Sequence, residues 1–597
     1  IKVDSAGKQN VAGLLRDFLG HEPEPIGTPR ELAERMARLT HLIRDIIITA
    51  FEKDRASHLL TDWRKAFAEV LVAELDAPEH VGQFADMFAQ TLAYGLFSAR
   101  IRHEGGDFTR QKAQGLIPKT NPFLRDFFYY ITGPNMDDEP YAGLVEDLVQ
   151  LLALAQMDEI LADFGKRTRQ EDPTVHFYET FLAAYDPELR DRRGVRYTPN
   201  PVVSYIVRSV DELLKDKFAL SDGLADTTRL PDGTHKLLLL DPACGTATFL
   251  YHLIDLIRES FMSADNAGMW SDYVREHLLP RVFGFELLMA PYAVAHFKLA
   301  LQLSGHDLAE AQQERWAYDF EADERINIYL TNALEAPEHD YEQTSYLGLT
   351  RVLAEEAQEA SAIKKELPIM VVLGNPPYAG HSANNNPWID GLLKGELPNG
   401  TRVKSYYEVD GHPLDERNPK WLQDDYVKFI RFAQWRIEQT GAGVLAYVSN
   451  HGYLDNPTFR GMRQSLMQTF DEIYLLDLHG NARKRETAPD GGPDENVFDI
   501  MQGVAIGIFI KASGSERLAT VHHANLWGQR KNKYKWLATE DATTTHWKEL
   551  SPRSPHYLYV PQDVSRLEEY EGGWQTSEVM PVNVLGFQSH RDSFAVA

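Results

Sequence analysis

Apolar residues recur at helical spacing through the first part of the chain. Leu32, Met36, Leu39, Ile43, Ile46, Ile47 and Ala50 share one face of a 3.6-residue period, which predicts an amphipathic helix. Thr28-Pro29-Arg30-Glu31 precedes them and supplies a capping hydroxyl, a first-turn proline and a glutamate at the third helical position. Phe84, Met87, Phe88, Thr91, Leu92, Gly95 and Leu96 repeat the stripe. Residues 1–170 carry no evident chemistry and read as an all-helical packing or coupling domain.

The pattern changes near residue 195. Short apolar runs at 236–240, 281–285, 326–330, 369–373, 443–448, 473–478 and 503–510 alternate with helix-like stretches. Such alternation predicts an α/β domain over residues 171–511, a parallel sheet covered on both faces. Ligands of these sheets bind at the carboxyl ends of strands. Two polar segments, 379–420 and 481–497, read as long loops, and long loops in compact domains are usually functional. Residues 512–597 turn to short strand-like pieces with scattered tryptophans.

Composition narrows the class. At roughly 150 residues per domain, 597 residues make three or four units. A hydrophobic content of 43% with 11% aromatics is that of a globular protein. There is no apolar run of about 18 residues to span a membrane and no cleavable signal. The chain opens at Ile1 and stops at Ala597, and is expected to be a piece of a longer protein. Cys244 is the one cysteine, so no internal disulfide or thiolate metal cluster can form, which fits a reducing cytoplasm. No H-E-x-x-H pattern occurs; the adjacent His522 and His523 read as solvated loop histidines, and no metal is expected. The net charge of −27 weighs against nucleic acid unless basic residues cluster in one cleft.

Chemistry concentrates at strand ends. Asp241-Pro242-Ala243-Cys244-Gly245-Thr246-Ala247-Thr248-Phe249 follows the first run, with a helix expected from Thr248. Gly245 and its small neighbours let a ligand approach the backbone. Neither a Walker A motif nor G-x-G-x-x-G is present, so the loop suits a ligand without phosphates, such as S-adenosylmethionine. Glu286 ends the second run, where an acid can accept hydrogen bonds from ribose hydroxyls. Asn332 follows the third, where an amide can pair with an adenine edge.

Asn375-Pro376-Pro377-Tyr378 ends the fourth run and is the most informative string. Two prolines lock the backbone out of the sheet. The Asn375 side-chain oxygen and the Pro376 carbonyl make two acceptors side by side. A ring amino group is a poor nucleophile because its lone pair is delocalised; two acceptors pulling on its hydrogens localise that pair. Tyr378 offers a flat face for an extruded base. The step needs positioning more than covalent chemistry, so no nucleophilic role is expected for Cys244.

In this order the motifs resemble the gamma-class amino-methyltransferases of DNA, with Gly194-Val195-Arg196-Tyr197-Thr198-Pro199 as the cofactor-clasping element. The strings at 176–211, 329–335, 418–435 and 497–511 further resemble Type ISP restriction–modification enzymes. That resemblance implies a Rossmann-like S-adenosylmethionine-dependent methyltransferase sheet with an N-terminal helical coupler. It also implies the start of a C-terminal recognition region at 586–597. It implies a site-specific DNA methyltransferase acting on adenine N6 of a flipped base, the modification part of a bacterial defence enzyme. Double-stranded DNA would be the partner, and nuclease and ATPase domains would belong to the same longer polypeptide. Tyr197, Thr198 and Pro199 would hold the methionine end of the cofactor. Asp241, Ala243, Gly245 and Phe249 would border it, Glu286 would bind the ribose, and Asn332 would face the adenine. Asn375, Pro376, Pro377 and Tyr378 would handle the target base, and asparagine before Pro-Pro-Tyr is associated with adenine rather than cytosine. The family usually has glycine where Ala247 stands and an aromatic where Arg196 stands. A protein-glutamine or RNA methyltransferase could use the same Asn-Pro-Pro-Tyr chemistry. Candidate DNA contacts are Arg402 and Lys404, Arg483-Lys484-Arg485, and Arg530-Lys531-Asn532-Lys533-Tyr534-Lys535-Trp536, the last equally readable as an amphipathic strand.

Overall fold

A computed structural model describes residues 25–103, 105–117, 120–160, 173–185, 198–321, 324–337, 349–378, 382, 384–416, 419–512, 517–563, 565–574 and 576–582. Gly194–Tyr197 and residues 586–597, expected to form the cofactor clasp and the entry to a recognition region, lie outside the described residues.

The N-terminal unit is helical. The first stripe forms the helix Pro29–Glu52, and Thr28 Oγ1 accepts from the Glu31 amide at 3.3 Å. Glu31 pairs with Arg35 rather than reaching back to the cap (2.5 Å). Leu32, Met36, Ile43, Ile47 and Ala50 are buried, whereas Leu39 and Ile46 are only partly so. The second stripe lies in the helix Val81–Ile101, buried on all sides from Phe84 to Ala99. Its centre packs closely on the helix Pro122–Thr132, because a Cβ on Gly95 would sit 1.5 Å from Phe128 Cζ.

A nine-stranded sheet follows, built from β1 (Leu239–Asp241), β2 (Val282–Glu286), β3 (Ile328–Leu330), β4 (Val371–Gly374), β7 (Gly443–Asn450), β8 (Glu472–His479), β9 (Val504–Lys511), β10 (Thr520–Asn525) and β11 (Lys548–Leu550). β5 (Glu408–Val409) and β6 (His412–Pro413) form a separate hairpin. The order is β11-β10-β8-β9-β7-β4-β1-β2-β3. β3, β2, β1, β4 and β7 are mutually parallel, and β9 lies antiparallel between β7 and β8. β1 to β4 are buried along almost their whole length, because helices cover both faces; continuous rather than alternating apolar runs follow from that.

Three segments differ from the sequence reading. The 379–420 stretch is not all loop: it holds the helix Pro387–Lys394, capped by Asn386, whose Oδ1 accepts from Trp388 and Ile389 amides, and ended by Gly395 at φ 96°. Asn-Pro at its start and glycine at its end are the signals for it. The sheet also runs past residue 511, since β10 pairs with β8 and β11 with β10. His522 and His523 therefore lie on a strand, not in a solvated loop; His523 is buried, and His522 stacks on Tyr474.

The helical unit is fastened to the sheet domain by a buried polar chain. Asn121 caps the helix Pro122–Thr132 through Oδ1 and donates from Nδ2 to Tyr292 OH (2.8 Å). Tyr292 donates to Glu356 (2.7 Å), which pairs with Arg325 (3.0 Å) and accepts from the Leu330 amide at the end of β3 (3.3 Å). Buried polar groups linked this way fix a unique arrangement of the elements that carry them.

Gly95→Ala tests the helix packing. Alanine in a helix interior is ordinarily worth about 1 kcal/mol over glycine, but overpacking typically costs about 1–3 kcal/mol. A net loss of about 1–2 kcal/mol in denaturant unfolding is expected; a gain in stability would show that the Phe128 contact is wrong.

Candidate active site

β1 and β4 are neighbours, with Leu239 opposite Val371 and Leu240 opposite Val372. The chain leaves β1 towards β2 and β3, then returns to the other side of β1 as β4, so their carboxyl ends flank a topological switch point. The Asp241 loop and the Asn375 loop, distant in sequence, emerge there side by side.

Gly374 makes this approach possible, a residue sequence reasoning passed over. Its φ is 151°, and a Cβ on it would lie 2.6 Å from Asp241 Oδ1. Its signal is a glycine between an apolar run and two prolines. Asp241 is 1% exposed. Its Oδ1 accepts from the Ala243 amide at 3.1 Å, while Oδ2 is buried with no partner among the described residues. Burial pushes the carboxyl up to about 8, opposed by the Ala243 amide and helped by the Glu286 charge.

The loop then makes two left-handed residues, Gly245 at φ 54° and Ala247 at φ 60°, before the helix Thr248–Ser263. The left-handed conformation costs an L-residue about 1–2 kcal/mol, which gives the physical reason for glycine at the Ala247 position in the family that the loop resembles. Glu286 closes the loop from β2: Oε2 accepts from the Gly245 amide (2.9 Å) and Oε1 from the Leu288 amide (2.8 Å). Burial raises this carboxyl to about 7, against those amides. Each oxygen keeps a further lone pair for a hydroxyl donor.

Cys244 is buried, and desolvation holds its thiol well above its ordinary range, so it is not a thiolate. Phe249 is buried in the first turn of the helix. Asn332, at the end of β3, is buried with its amide already engaged: Oδ1 accepts from Leu334 (3.0 Å) and Nδ2 donates to Asn384 (3.2 Å). Lys364, another residue the sequence reading missed, donates to the Asn332 carbonyl at 2.6 Å. Burial brings its ammonium down to about 7.

Asn375 leaves β4 half-buried, and Pro376 is buried behind it. Its Nδ2 donates to Thr198 Oγ1 at 2.9 Å. Thr198 is itself buried, and Pro199 opens the helix Asn200–Phe218. Spending Nδ2 on Thr198 turns Oδ1 to the other side, where it accepts from Tyr378 OH at 2.5 Å. The Tyr378 hydroxyl also reaches Val448 O at 3.4 Å, and its ring stands edge-on to Tyr426. In this arrangement one lone pair of Oδ1 is occupied by the tyrosine and one remains.

The basic candidates separate. Arg402, Arg483, Lys484 and Arg485 are exposed. Lys404 is committed to Thr469, the Gln468 carbonyl and Glu438. The 530–536 group is not a strand, and of its basic residues only Lys531 and Lys535 are exposed. It forms the helix Arg530–Leu537, in which Lys533 is fully buried against Asp494 at 2.7 Å and Arg530 donates to the Asn496 and Phe498 carbonyls. Tyr534 OH donates to Val497 O, and Trp536 stacks on Tyr205.

The family model described as N-6 DNA Methylase matches residues 169–393, a span that holds the clasp, the Asp241 loop, Glu286, Asn332 and Asn375–Tyr378. Residues 169–393 are thus similar to the N-6 DNA methylases. Over 133 residues the chain is 35% identical to the Type II methyltransferase M.MamI of Microbacterium ammoniaphilum, covering 22% of this chain and 32% of that protein. The fold is similar to that of the Type ISP restriction-modification enzyme LlaBIII bound to DNA (TM-score 0.64, 20% identity, 90% of this chain and 33% of that one). It is also similar to the DrdV–DNA complex (TM-score 0.59, 23% identity, 92% of this chain and 48% of that one). The chain thus spans about a third of the curated relative and between a third and a half of these solved structures. The matched span takes in the parallel part of the sheet up to β4, and Val448 and Tyr426, which contact Tyr378, lie beyond it.

The raised Asp241 carboxyl has a consequence for stability. An aspartate ordinarily titrates near ~3.9. Between that value and about 8 the folded chain holds the proton that the unfolded chain has lost. Stability therefore falls as pH rises through this window. Asp241→Asn is expected to flatten that fall in urea unfolding between about pH 5 and about pH 8; superimposable pH dependences would refute the assignment.

Proposed function

We propose that this chain transfers a methyl group from S-adenosylmethionine to N6 of an adenine turned out of duplex DNA, as the modification part of a restriction–modification enzyme. The observation that carries the reading is the orientation of Asn375. Its amide N–H is held by Thr198, so that its oxygen is presented as an acceptor at the carboxyl end of β4. That end lies directly beside the Asp241 carboxyl, whose Oδ2 has no partner among the described residues, and the Glu286-braced loop.

The residues suit the cofactor. Asp241 Oδ2 is a buried carboxyl oxygen with no partner among the described residues, free to pair with a polar group of the cofactor. Gly245 and Gly374 leave the backbone open to close approach. Thr198, Pro199, Asp241, Ala243, Gly245, Phe249, Glu286 and Asn332 are the residues that would hold it, with Tyr197. Bound S-adenosylmethionine would supply an electrophilic methyl group on a sulfonium centre.

This chain's residues supply the rest. Asn375 Oδ1 and the Pro376 carbonyl would draw on the two N–H bonds of the target amino group and localise its lone pair. Tyr378 would give up its hydroxyl bond to Asn375 as its ring turns to stack on the base, freeing the oxygen for the substrate. Release of that bond makes base capture and acceptor exposure one event. DNA would be held partly by the exposed Arg402, Arg483, Lys484 and Arg485, with nuclease and ATPase functions on the same longer polypeptide. The matched N-6 DNA methylase span and the DNA-bound fold relatives support DNA over RNA or a protein glutamine.

Labelled methyl transfer to duplex DNA, compared with RNA and a glutamine-bearing release factor, tests the substrate class; preferential labelling of either alternative would overturn it. Asn375→Ala is expected to lower turnover on DNA by roughly 10²–10³, with cofactor binding retained. Near wild-type turnover would mean that the acceptor is elsewhere. Tyr378→Ala is expected to weaken capture of the extruded base by about 1–3 kcal/mol. Fluorescence of 2-aminopurine at the target position, unchanged between variant and wild type, would contradict this.

A further inference from the structure

His451, Asp477 and His479 converge at the carboxyl ends of β7 and β8, each buried, with potential ligand atoms all within 4.8 Å of one another. His479 Nε2 meets Asn525 Oδ1 at 2.8 Å, and an amide oxygen can only accept, so the ring proton sits on Nε2. Nδ1 is thereby left as a bare lone pair, buried and with no hydrogen-bond partner among the described residues. It faces Asp477 Oδ2 at 3.5 Å and Glu486 Oε2 at 4.0 Å. Asp477 Oδ1 is engaged separately, by His451 Nδ1 at 3.0 Å and the His479 amide at 2.9 Å. Electron-rich atoms thus point at one another across a buried gap, an arrangement that is unfavourable unless a positive charge lies between them.

We infer that His451, Asp477 and His479, with Glu486 beside them, form a site for a divalent transition cation of the zinc class. Two imidazoles and a carboxylate are the borderline donors that zinc prefers, whereas magnesium and calcium take oxygen sets. The Asn525 contact fixes the ring and tautomer of His479, as outer partners of metal-bound histidines commonly do. Trp527 stacks on the same ring at 3.3 Å and fixes its plane. At His451 the cation replaces the Nδ1 proton shared with Asp477, and that proton moves to Nε2. Asn481, which now donates to Nε2, turns its amide oxygen to meet it and releases the Lys484 amide.

The place of the site gives it a role. β8 runs parallel to β7 and β4, because β9 is antiparallel to both β7 and β8; the cluster is therefore at the same end of the sheet as Asn375. The segment from Gly480 to Gly503 leaves from His479 and returns against His451, where a Cβ on Gly503 would lie 2.3 Å from the ring. It carries the exposed Arg483, Lys484 and Arg485. A cation here pins both ends of the segment that carries these three cations beside the candidate site.

The test uses the full chain after removal of metal by a chelator, titrated with Co²⁺ and then with Zn²⁺ as competitor. Saturable uptake of one Co²⁺ per chain is expected, with visible d–d absorption of a low-coordinate nitrogen–oxygen site, discharged by Zn²⁺. His479→Ala is expected to weaken uptake at least tenfold. Should that variant fail to fold, Asp477→Asn, which keeps the side-chain shape and an oxygen acceptor, decides in its place. Absence of saturable uptake by the wild type would overturn the site, because the gap would then be closed by a proton alone. Uptake unchanged in a folded variant would overturn it too, because the cation would be bound elsewhere.

Discussion

The close approach of β1 and β4 is the constraint on which the rest of the site depends. Asp241 and Asn375 are far apart along the chain, and only the parallel pairing of their strands brings the two loops together. That pairing leaves no room between the strand ends: the Asp241 carboxylate occupies the volume that a side chain at position 374 would need. Glycine at 374 and a buried acid at 241 are one design, and each explains the other. The acid is held with one oxygen satisfied and one orphaned, a state that is costly in an isolated domain. Such a cost is retained where a ligand later supplies the donor.

The helical unit acts on the same site from the opposite direction. Glu356 is where the two meet: it takes Tyr292 OH and Arg325, and also the Leu330 amide at the end of β3. Asn332 follows two residues later, its carbonyl held by Lys364 from the same helix as Glu356. A displacement of the helix Pro122–Thr132 would be felt through Asn121 and Tyr292 at Glu356, and so at the strand end next to the candidate site. Buried polar chains transmit such shifts because breaking any link leaves a desolvated group unpaired. The helices therefore bear on the geometry of the candidate site.

What the sequence disclosed follows from which physical signals are local. The strands were legible because burial on both faces writes continuous apolar runs; all seven expected runs coincide with β1–β4 and β7–β9. The placement of Asp241, Glu286, Asn332 and Asn375 was legible because each follows an apolar run, and each lies at or just beyond a strand end. The helix Pro387–Lys394 was obscured by the asparagines and prolines around it, although Asn386 and Gly395 are its cap and its stop. The Arg530–Trp536 group forms a helix rather than a strand, and charge does not mark exposure where a partner comes from far away. Lys533 is buried because Asp494 and two backbone carbonyls wait for it. The bond of Tyr378 to Asn375 could not be foreseen either, since a stacking face and a hydroxyl donor are both properties of tyrosine.

The fate of the cations bears on how an acidic chain could approach the DNA proposed as its partner. Arg431 donates to the carbonyls of Leu392 and Lys404. Arg463 donates to those of Tyr453, Asn456 and His556. Lys428 is held by Ser382, Asn384 and Asn385. These side chains are buried and serve as fasteners for irregular backbone, which arginine does well because its planar fork satisfies several carbonyls at once. They cannot also neutralise phosphates. Against a net charge of −27, the attraction to DNA proposed above would rest on exposed cations near the candidate site, such as Arg483, Lys484 and Arg485, acting at short range. On the reading proposed above, such charge is effective only where it is held in register with the target base. Order in the segment that carries it therefore matters more than the number of charges.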